Sequence, residues 1–507
     1  MSTPSLPASD RALRLREALI AAAFTADGLL ERLGAPAYAA LARSETVPAL
    51  RATRGDSPLD TLVRLFLLQR PVQASAAAVA LPLEECVQDG WAVREGDLVR
   101  AAVDVRPYGG PEGQDWFIVS DLGCAVGGAG GIGSHEEGVV LGVGGASTTL
   151  AGITVRRPVA SALDLGTGSG IQALHAAQHA IRVTATDVNP RALEFTRLTL
   201  ALSGAAPAEL LEGSLFEPVG TRTYDLIVSN PPFVISPGAR LTYRDGGMGG
   251  DDLCRTLVQQ AGDRLNEDGY AQFLANWQHV EGEEWQDRVR SWVPAGCDAW
   301  IVQREVQDIT QYAELWLRDS GDHRTDPAVY TQRYEAWLDE FEARRTKAVG
   351  FGWITLRRSA AAAAGHPSVV AEEWPHAVEQ PLGPAVEAHF ARQDYLREHD
   401  DAALLAAHFT LSEEVVQEQV GVPGAEDPEH VVLRQHRGMR RATKVDAVGA
   451  GFAGVCDGSL PAGRILDAIA QLMAEDPVLL RDRTPQSIRL LVEEGFIEPV
   501  RDGAPPS

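Results

Sequence analysis

Residues 163–174 read LDLGTGSGIQAL, and this stretch decides the fold of the central part of the chain. The apolar run that leads into it predicts a buried strand, which ends in a turn built on Gly166, Gly168 and Gly170 and continues as a helix. Glycine allows the backbone to pass close to a ligand, and the N-terminus of a helix favours a carboxylate group of that ligand. The stretch therefore predicts a strand–turn–helix unit with a binding site at the turn.

The region around this stretch alternates between strand and helix. Its strand candidates are SALDLG, IRVTATDV, AELLEG, YDLIVSN, YAQFLANW, AWIVQREV and GFGWITLRR, with helical patterns between most of them. The alternation predicts an α/β fold with a doubly wound, seven-stranded Rossmann-like sheet. A helical insertion at about residues 308–346 separates the last two strands. It is interpreted as a lid, a docking element or an extension of the fold.

An acidic residue follows the glycine turn at the distance expected for a ribose-binding site. Asp187 ends the segment IRVTATDV, 21 residues after Gly166, and its carboxylate can accept hydrogen bonds from both ribose hydroxyl groups. A nicotinamide-dependent enzyme would use a similar layout. A second glycine motif, GAGGIG at residues 128–133, is rejected as a dinucleotide site because no amphipathic helix follows it.

The stretch SNPPFV at residues 229–234 ends the apolar segment YDLIV in an unusual way. Proline cannot donate to a sheet ladder, so the strand must end there. Asn230 offers a side-chain oxygen, the carbonyl of Pro231 offers a second acceptor, and Phe233 offers a flat face for stacking. Because Pro231 and Pro232 lock their backbones and lack N–H groups, these acceptors are preorganised. Such a set suits a flat amino or amide group.

Together these stretches resemble the class I S-adenosylmethionine-dependent methyltransferases of the NPPF/NPPY group, which modify planar nitrogens. DLGTGSG is similar to motif I of that class, residues 187–204 to its second motif and helix, and NPPF to its [DNS]-P-P-[FYW] tetrapeptide. Members act on adenine N6, on guanine N2 in ribosomal RNA and on the glutamine amide of release factors. The resemblance covers about residues 145–280 and implies S-adenosyl-L-methionine as the cofactor.

The resemblance also implies which residues hold this cofactor. Asp187 would bind the ribose and the region around Asn189 would border the adenine, whereas Asp164 would lie near the methionine amino group or simply brace the glycine turn. The chain departs from the family where Ser214 and Leu215 replace an acidic residue that often receives the adenine amino group. The predicted cofactor-binding residues are Asp164, Gly166, Thr167, Gly168, Gly170, Asp187, Val188, Asn189, Ser214, Leu215 and Asn230.

Asn230, Pro231, Pro232 and Phe233 are the predicted catalytic residues. The lone pair of an exocyclic amine or amide is delocalised, so the site must hold both N–H bonds for the nitrogen to pyramidalise toward the methyl group. The Asn230 oxygen and the Pro231 carbonyl would each accept one N–H. No general base is required, because the nitrogen loses its proton after alkylation, and no metal site is predicted.

Several further residues are weaker candidates. Arg244 and Asp245, in a glycine-rich loop, would contact the substrate or lie in solvent. Trp277 would line the pocket or pack in the core. Thr148 and Thr149 fall where the family often places a loop over the cofactor.

Other patterns flank the central domain. Residues 1–110 have helical segments followed by two short strand-like pieces around a turn, as in a winged helix. The methyltransferase domain is predicted over residues 111–360, and AAAAGHP near residue 365 is interpreted as a linker to a C-terminal α/β domain at 366–507, winged-helix-like at its end. Winged helices often bind nucleic acid, but a cap that supplies substrate-binding surface is the favoured interpretation.

Composition suits a globular protein of about three domains, with 507 residues of which 45% are hydrophobic and 23% charged. The N-terminal sequence predicts no signal peptide, and no window predicts a membrane helix. The five cysteines are scattered and form no CxxC pair, which indicates a reducing cytoplasm without disulfides or structural zinc. The formal net charge of −25 disfavours nonspecific binding to nucleic acid or an anionic membrane.

The substrate is left open between two polymer classes. A nucleobase in RNA would be extruded and stacked in the pocket. The winged-helix-like ends support this, as does a basic cluster that would track phosphates or balance nearby acids. The basic cluster consists of Arg434, Arg437, Arg440, Arg441 and Lys444.

A glutamine amide on a protein fits the net charge better, and the interpretation leans slightly to RNA. A small-molecule methyltransferase and a winged-helix regulator with a vestigial core are further alternatives. The oligomeric state is not predicted.

Overall fold

The computed structural model describes residues 8–123, 138–237, 248–324, 326–423 and 429–500. The chain divides into two compact units, one formed by residues 1–151 and 157–374 and the other by residues 152–156 and 375–507. The first unit thus includes the predicted N-terminal region and, except for residues 152–156, the predicted methyltransferase region.

An eight-stranded sheet forms the centre of the first unit. Its strands are β1 (Val159–Leu165), β2 (Ala180–Asp187), β3 (Glu209–Glu212), β4 (Tyr224–Ser229), β5 (Leu265–Val280), β6 (Cys297–Asp308), β7 (Thr346–Arg358) and β8 (Val369–Glu373). They lie in the order β8-β6-β7-β5-β4-β1-β2-β3. Within this sheet β7 runs antiparallel to β5 and β6, and the other neighbours are parallel. All seven predicted strands are present, and the predicted doubly wound α/β fold is confirmed.

One helix precedes β1, and others connect the strands. They are α1 (Gly145–Ile153), α2 (Ile171–Ala176), α3 (Pro190–Leu202), α4 (Asp252–Ala261), α5 (Trp285–Arg290), α6 (Ile309–Asp319), α7 (Pro327–Ala343) and α8 (Ala360–Ala363). The predicted insertion is made of α6 and α7. Because β1 to β5 are parallel, their carboxyl ends meet at one edge of the sheet, where ligand sites of such folds lie.

Burial of the strands explains why their sequences read as continuous apolar runs. In β4, YDLIVS, five of the six side chains are buried. A parallel strand covered on both faces has this pattern. Strand β8 was not predicted, because it is a short edge strand of five partly exposed or exposed residues, VVAEE. It pairs with β6, so the segment interpreted as a linker near residue 365 leads into the sheet instead.

The N-terminal region consists of short helices and two small sheets. The helices are Ala8–Ala21, Ala26–Leu33, Ala35–Leu41, Val47–Ala52, Pro58–Leu62, Ala74–Ala80 and Leu83–Gln88, with a π-helical turn at Val63–Leu67. The strands Val72–Gln73, Ala92–Glu95 and Leu98–Ala101 form one sheet, and Asp104–Gly109 pairs with Asp115–Ser120 as a hairpin. Two helices precede the first strand pair, in the predicted order, and the winged-helix assignment stays a prediction.

The second unit has its own core and two three-stranded sheets. Its helices are Gly383–Glu398, Asp401–Ala406, Ala447–Gly454, Ala462–Met473, Pro477–Arg483 and Pro485–Glu494. One sheet contains His408–Leu411, Asp457–Pro461 and Ile497–Pro499, and the other contains Val415–Val420, His430–Gln435 and Ala442–Val445. The basic cluster lies on and between the last two strands. Arg434 pairs with Glu418 and Arg437 pairs with Glu414, each at 2.7 Å, so acids neutralise part of the cluster.

The described residues contain neither a membrane-spanning helix nor a cluster of metal ligands. None of their helices is both long enough and apolar enough to span a bilayer. Nor do these residues contain a group of three or more His, Cys, Asp or Glu side chains that could hold a metal ion. Cys86, Cys254, Cys297 and Cys456 are buried free thiols, whereas Cys124 lies outside the described residues.

Candidate active site at the carboxyl edge of the sheet

The glycine turn after β1 has a backbone that glycine adopts readily. The φ angles of Gly166, Gly168 and Gly170 are 73°, 55° and 82°, and the N–H of Gly166 donates to the Thr186 carbonyl at 2.9 Å. A Cβ on Gly166 or Gly168 would meet nothing within 4 Å, so this part of the turn is open to a ligand. A Cβ on Gly170 would lie 2.8 Å from the Thr196 Cα. Gly170 therefore serves the packing of α2 against α3.

Asp164 braces the turn from within the protein. Its carboxylate is buried, and Oδ2 accepts a hydrogen bond from the Thr167 hydroxyl at 2.7 Å and from the Ala173 N–H at 2.9 Å. Burial raises the pKa of Asp164 to about 7, although both hydrogen bonds oppose the shift. A nearby ammonium group would favour the ionised carboxylate. The geometry includes the predicted brace, and the contact with a methionine amino group stays a prediction.

Asp187 joins the glycine turn to the end of β2. Its Oδ2 accepts the N–H of Gly168 at 3.0 Å and its Oδ1 accepts the N–H of Asn189 at 2.9 Å. Burial raises the pKa of Asp187, and these N–H groups oppose that effect. Each carboxylate oxygen has a second acceptor site. The carboxylate can therefore hold the turn and still accept hydrogen bonds from two hydroxyl groups.

The residues next to Asp187, which include Val188, Ser214 and Leu215, form a rim of apolar and polar side chains beside the glycine turn. Val188 leaves 62% of its surface exposed, which is unusual for valine beside a buried sheet edge. Ser214 is exposed, and Leu215 is half-buried with φ of 48°, a left-handed conformation that costs energy in leucine. The N–H of Gly213 donates to the Asp187 carbonyl at 3.0 Å, which brings this turn beside β2. The predicted set thus converges on one rim.

The end of β4 lies beside the end of β1. The Ser229 hydroxyl donates to the Leu165 carbonyl at 2.7 Å, so the glycine turn and residues 230–235, here named the acceptor loop, leave adjacent strands together. Asn230 Oδ1 is buried and accepts no hydrogen bond within the described part of the chain. A buried polar atom without a partner costs about 1–3 kcal/mol. Such an atom beside an open turn is a candidate ligand contact.

The far end of the acceptor loop is held by the insertion. Phe233 is half-buried and packs against the sheet core and against an aromatic cluster of α6 and α7. The N–H of Ile235 donates to the hydroxyl of Tyr312 at 3.0 Å, and the same hydroxyl accepts the side-chain amide of Asn276 at 2.9 Å. The acceptor loop is therefore anchored at both ends.

The structure places the weaker candidates in different parts of the molecule. Trp277 is fully buried, donates to Gln303 Oε1 at 2.9 Å and stacks on Trp285, so it is a core residue and does not line a pocket. Thr148 and Thr149 lie on helix α1 instead of a loop, because the segment pairs its backbone locally. Arg244, Asp245 and GAGGIG at residues 128–133 lie outside the described residues.

Sequence patterns missed Gly138, Arg191 and Asp121, which lie around the site, whereas Asn189 was predicted. The side-chain amide of Asn189 donates to the Gly138 carbonyl at 2.7 Å, and Arg191 pairs with Asp121 at 2.5 Å. Both contacts link the cofactor rim to residues far away in the sequence. Tyr312 was also missed, although the concentration of aromatic residues in the insertion was a visible signal of a packed element.

Residues 145–285 match the protein family described as methyltransferase small domain. The flanking regions match two families described as domains of unknown function, DUF7059 at residues 21–102 and DUF7782 at residues 387–499. The central part of the chain is therefore similar in sequence to methyltransferases, and the predicted resemblance is confirmed.

Curated relatives align with the same part of the chain. The release factor glutamine methyltransferase of Geobacter sulfurreducens is 38% identical over 130 residues, which are 23% of this chain and 45% of that protein. The ribosomal protein uL3 glutamine methyltransferase of Bradyrhizobium diazoefficiens is 36% identical over 135 residues, 24% of this chain and 42% of that protein. The ribosomal RNA small subunit methyltransferase C of Escherichia coli is 35% identical over 116 residues, 22% of this chain and 30% of that protein. The chain spans less than half the length of these relatives, and their names agree with the predicted class of methyltransferase.

Proposed function

We propose that the protein is an S-adenosyl-L-methionine-dependent N-methyltransferase that acts on a planar exocyclic amine or amide nitrogen. The observation that carries this proposal is Asn230 Oδ1, a buried acceptor without a partner among the described residues, beside an open glycine turn. The match of residues 145–285 to the methyltransferase small domain supports it.

The residues at the carboxyl edge fit this cofactor. The open backbone at Gly166 and Gly168 suits the methionine carboxylate, Asp187 suits the ribose hydroxyl groups, and the exposed Val188 offers an apolar contact for the adenine. Asp164 would provide the negative charge for the methionine amino group. When bound, the cofactor supplies an electrophilic methyl group on a sulfonium.

The chain prepares the nitrogen that receives this methyl group. Asn230 Oδ1 accepts one N–H and the Pro231 carbonyl accepts the other, which turns the lone pair out of conjugation and toward the methyl group. Phe233 supports the plane of the acceptor. Once the methyl group is attached, the nitrogen carries a positive charge and is acidic. It releases its proton to water, so the chain need supply no general base.

Two polymer substrates remain candidates. An RNA nucleobase drew support from the basic cluster, and the ion pairs of Arg434 and Arg437 weaken that support. The charge of the insertion supports a glutamine amide on a protein as the substrate. Residues 309–343 include eight acidic residues and three arginines, and the resulting net charge of −5 repels a phosphate backbone. Relatives named for both substrates keep both classes open.

Two measurements test the proposal. Isothermal titration with S-adenosyl-L-methionine should give a clear heat of binding, and its absence would favour a regulator with a vestigial core. Tritiated methyl groups should then pass from the cofactor into a cell lysate. Loss of the label on RNase treatment would identify RNA, loss on protease treatment would identify a protein, and retention in the small-molecule fraction would identify a metabolite.

The cytoplasm is the proposed location. The free thiols of the four described cysteines support it, since disulfides form in oxidising compartments.

A further inference from the structure

The insertion begins at the edge of the sheet that carries the candidate site. Asp308 ends β6 and caps α6, because its carboxylate accepts the N–H groups of Thr310 at 2.8 Å and Gln311 at 3.0 Å. No loop separates the strand from the helix. The orientation of α6 is therefore set directly by the sheet.

Tyr312, on the first turn of α6, lies at the centre of a packed aromatic cluster. Its side chain is fully buried, and its ring centroid lies 5.5–6.1 Å from those of four neighbours. These neighbours are Trp316, Trp337, Phe341 and Phe351. The same cluster contains Val234 and Ile235 of the acceptor loop. Packing of this kind favours a fixed element over a lid, since opening the insertion would expose the whole cluster to water.

The Tyr312 hydroxyl joins the acceptor loop to the sheet. It accepts the N–H of Ile235 and the side-chain amide of Asn276, a buried residue of β5. The acceptor loop belongs to neither a helix nor a strand, so no ladder holds its backbone. Burial raises the pKa of Tyr312, and the phenol stays neutral with its oxygen available as an acceptor.

We propose that Tyr312 is a positioning residue, which fixes the acceptor loop so that Asn230 and Pro231 present their oxygens to the substrate nitrogen. This inference rests on the proposed N-methyltransferase function. It assigns the insertion a role in catalysis that is separate from cofactor binding. Tyr312 acts at the far end of the acceptor loop, whereas the predicted cofactor residues other than Asn230 lie at the ends of β1 and β2, in the turns that follow them and in the turn after β3.

Tyr312→Phe removes the hydroxyl and keeps the ring. We expect cofactor affinity and the KM for the acceptor to stay within about twofold, while kcat per cofactor-binding site falls about tenfold, since small displacements of positioned groups have effects of this order. Amide hydrogen exchange of a peptide covering residues 229–237 should accelerate, while a peptide covering residues 163–174 stays unchanged. A merely structural role would lower the number of binding sites and leave kcat per site at the wild-type value.

Tyr334→Phe is the matched control. Tyr334 lies on the same insertion, and its hydroxyl contacts the Thr310 carbonyl at 3.3 Å and Glu314 at 3.4 Å instead of the acceptor loop. This variant should keep the wild-type kcat and exchange rates. If Tyr312→Phe does not fold, Asn276→Ser removes the second partner of the hydroxyl and should change kcat and exchange in the same direction.

Wild-type kcat and wild-type exchange in Tyr312→Phe would overturn the inference. The exchange measurement needs no substrate. If the wild-type protein transfers no methyl group, the proposed function fails, while faster exchange at residues 229–237 would still support anchoring of the acceptor loop and unchanged exchange would refute it.

Discussion

The two halves of the candidate site are held in different ways. On the cofactor side, Asp164 and Asp187 bind backbone N–H groups that lie at most 19 residues away along the chain. On the acceptor side, Ile235 depends on the Tyr312 hydroxyl, 77 residues away. Local contacts leave a motif in the sequence, and a contact across an insertion leaves none. Both halves carry a recognisable motif, but only the cofactor-side motif contains the partners that hold it, whereas NPPF gives no sign of Tyr312.

Loss of the Asn230 oxygen should separate the halves most clearly. Asn230→Ala is expected to lower methyl transfer by about a hundredfold or more, close to the loss of one preorganised contact in a transition state. Cofactor affinity should change little. The rate is measured by tritiated-methyl transfer and the affinity by isothermal titration. Asn266→Ala, whose side chain binds Asp225 at the start of β4, is the control, and comparable turnover by Asn230→Ala would refute its role.

The raised pKa of Asp164 predicts a pH dependence of the cofactor half. The folded protein keeps a proton up to pH of about 7, whereas unfolded aspartate loses it near 3.8, so unfolding free energy should fall as pH rises from 4 to 7. The loss is of the order of 3 kcal/mol. Asp164→Asn should remove this part of the slope, measured by urea unfolding of the cofactor-free protein at several pH values. Equal slopes for both proteins would contradict the prediction.

Asp187 should affect binding rather than the methylation step. Asp187→Ala is expected to weaken cofactor affinity about 10- to 100-fold, which is about 2 kcal/mol, because it removes the acceptors for the ribose and releases the N–H of Gly168. At saturating cofactor, kcat should recover most of its value. Titration calorimetry gives the affinity, with Asp225→Asn as a control at the opposite edge of the sheet. Unchanged affinity would discard the ribose role.

Two glycines of one turn should respond differently to the same change. Gly170→Ala should lower the unfolding free energy by about 1–3 kcal/mol, because its Cβ would meet Thr196 at 2.8 Å. Gly166→Ala should cost about 1 kcal/mol of backbone strain and mainly reduce cofactor affinity, since its Cβ would enter open space. Urea unfolding and calorimetry on both variants check this. Equal losses of affinity would mean that the turn acts as a whole.

Much of the fold and of the cofactor half could be predicted from the sequence. Central strands such as β4 were visible because parallel strands covered on both faces are nearly continuous apolar runs. Strand β3 is short and partly exposed, and it was predicted from its place in the alternation of strand and helix patterns. Strand β8 was invisible, since a short edge strand with partly exposed side chains has no such pattern. Trp277 shows the limit for single residues, because a tryptophan after a strand looks the same in sequence whether it faces a pocket or the core. The insertion was visible, but the direction of Tyr312 depends on packing.

The hairpin of the N-terminal region lies directly on α3, the helix that follows Asn189. The N–H groups of Phe117 and Val119 donate to the Ser203 and Thr199 hydroxyl groups, each at 3.0 Å. Trimming the chain to the 145–285 stretch would strip these partners from α3 and expose its buried face to water. Such a shortened protein should aggregate or bind the cofactor weakly. A minimal catalytic fragment should therefore begin upstream of the hairpin, before residue 104.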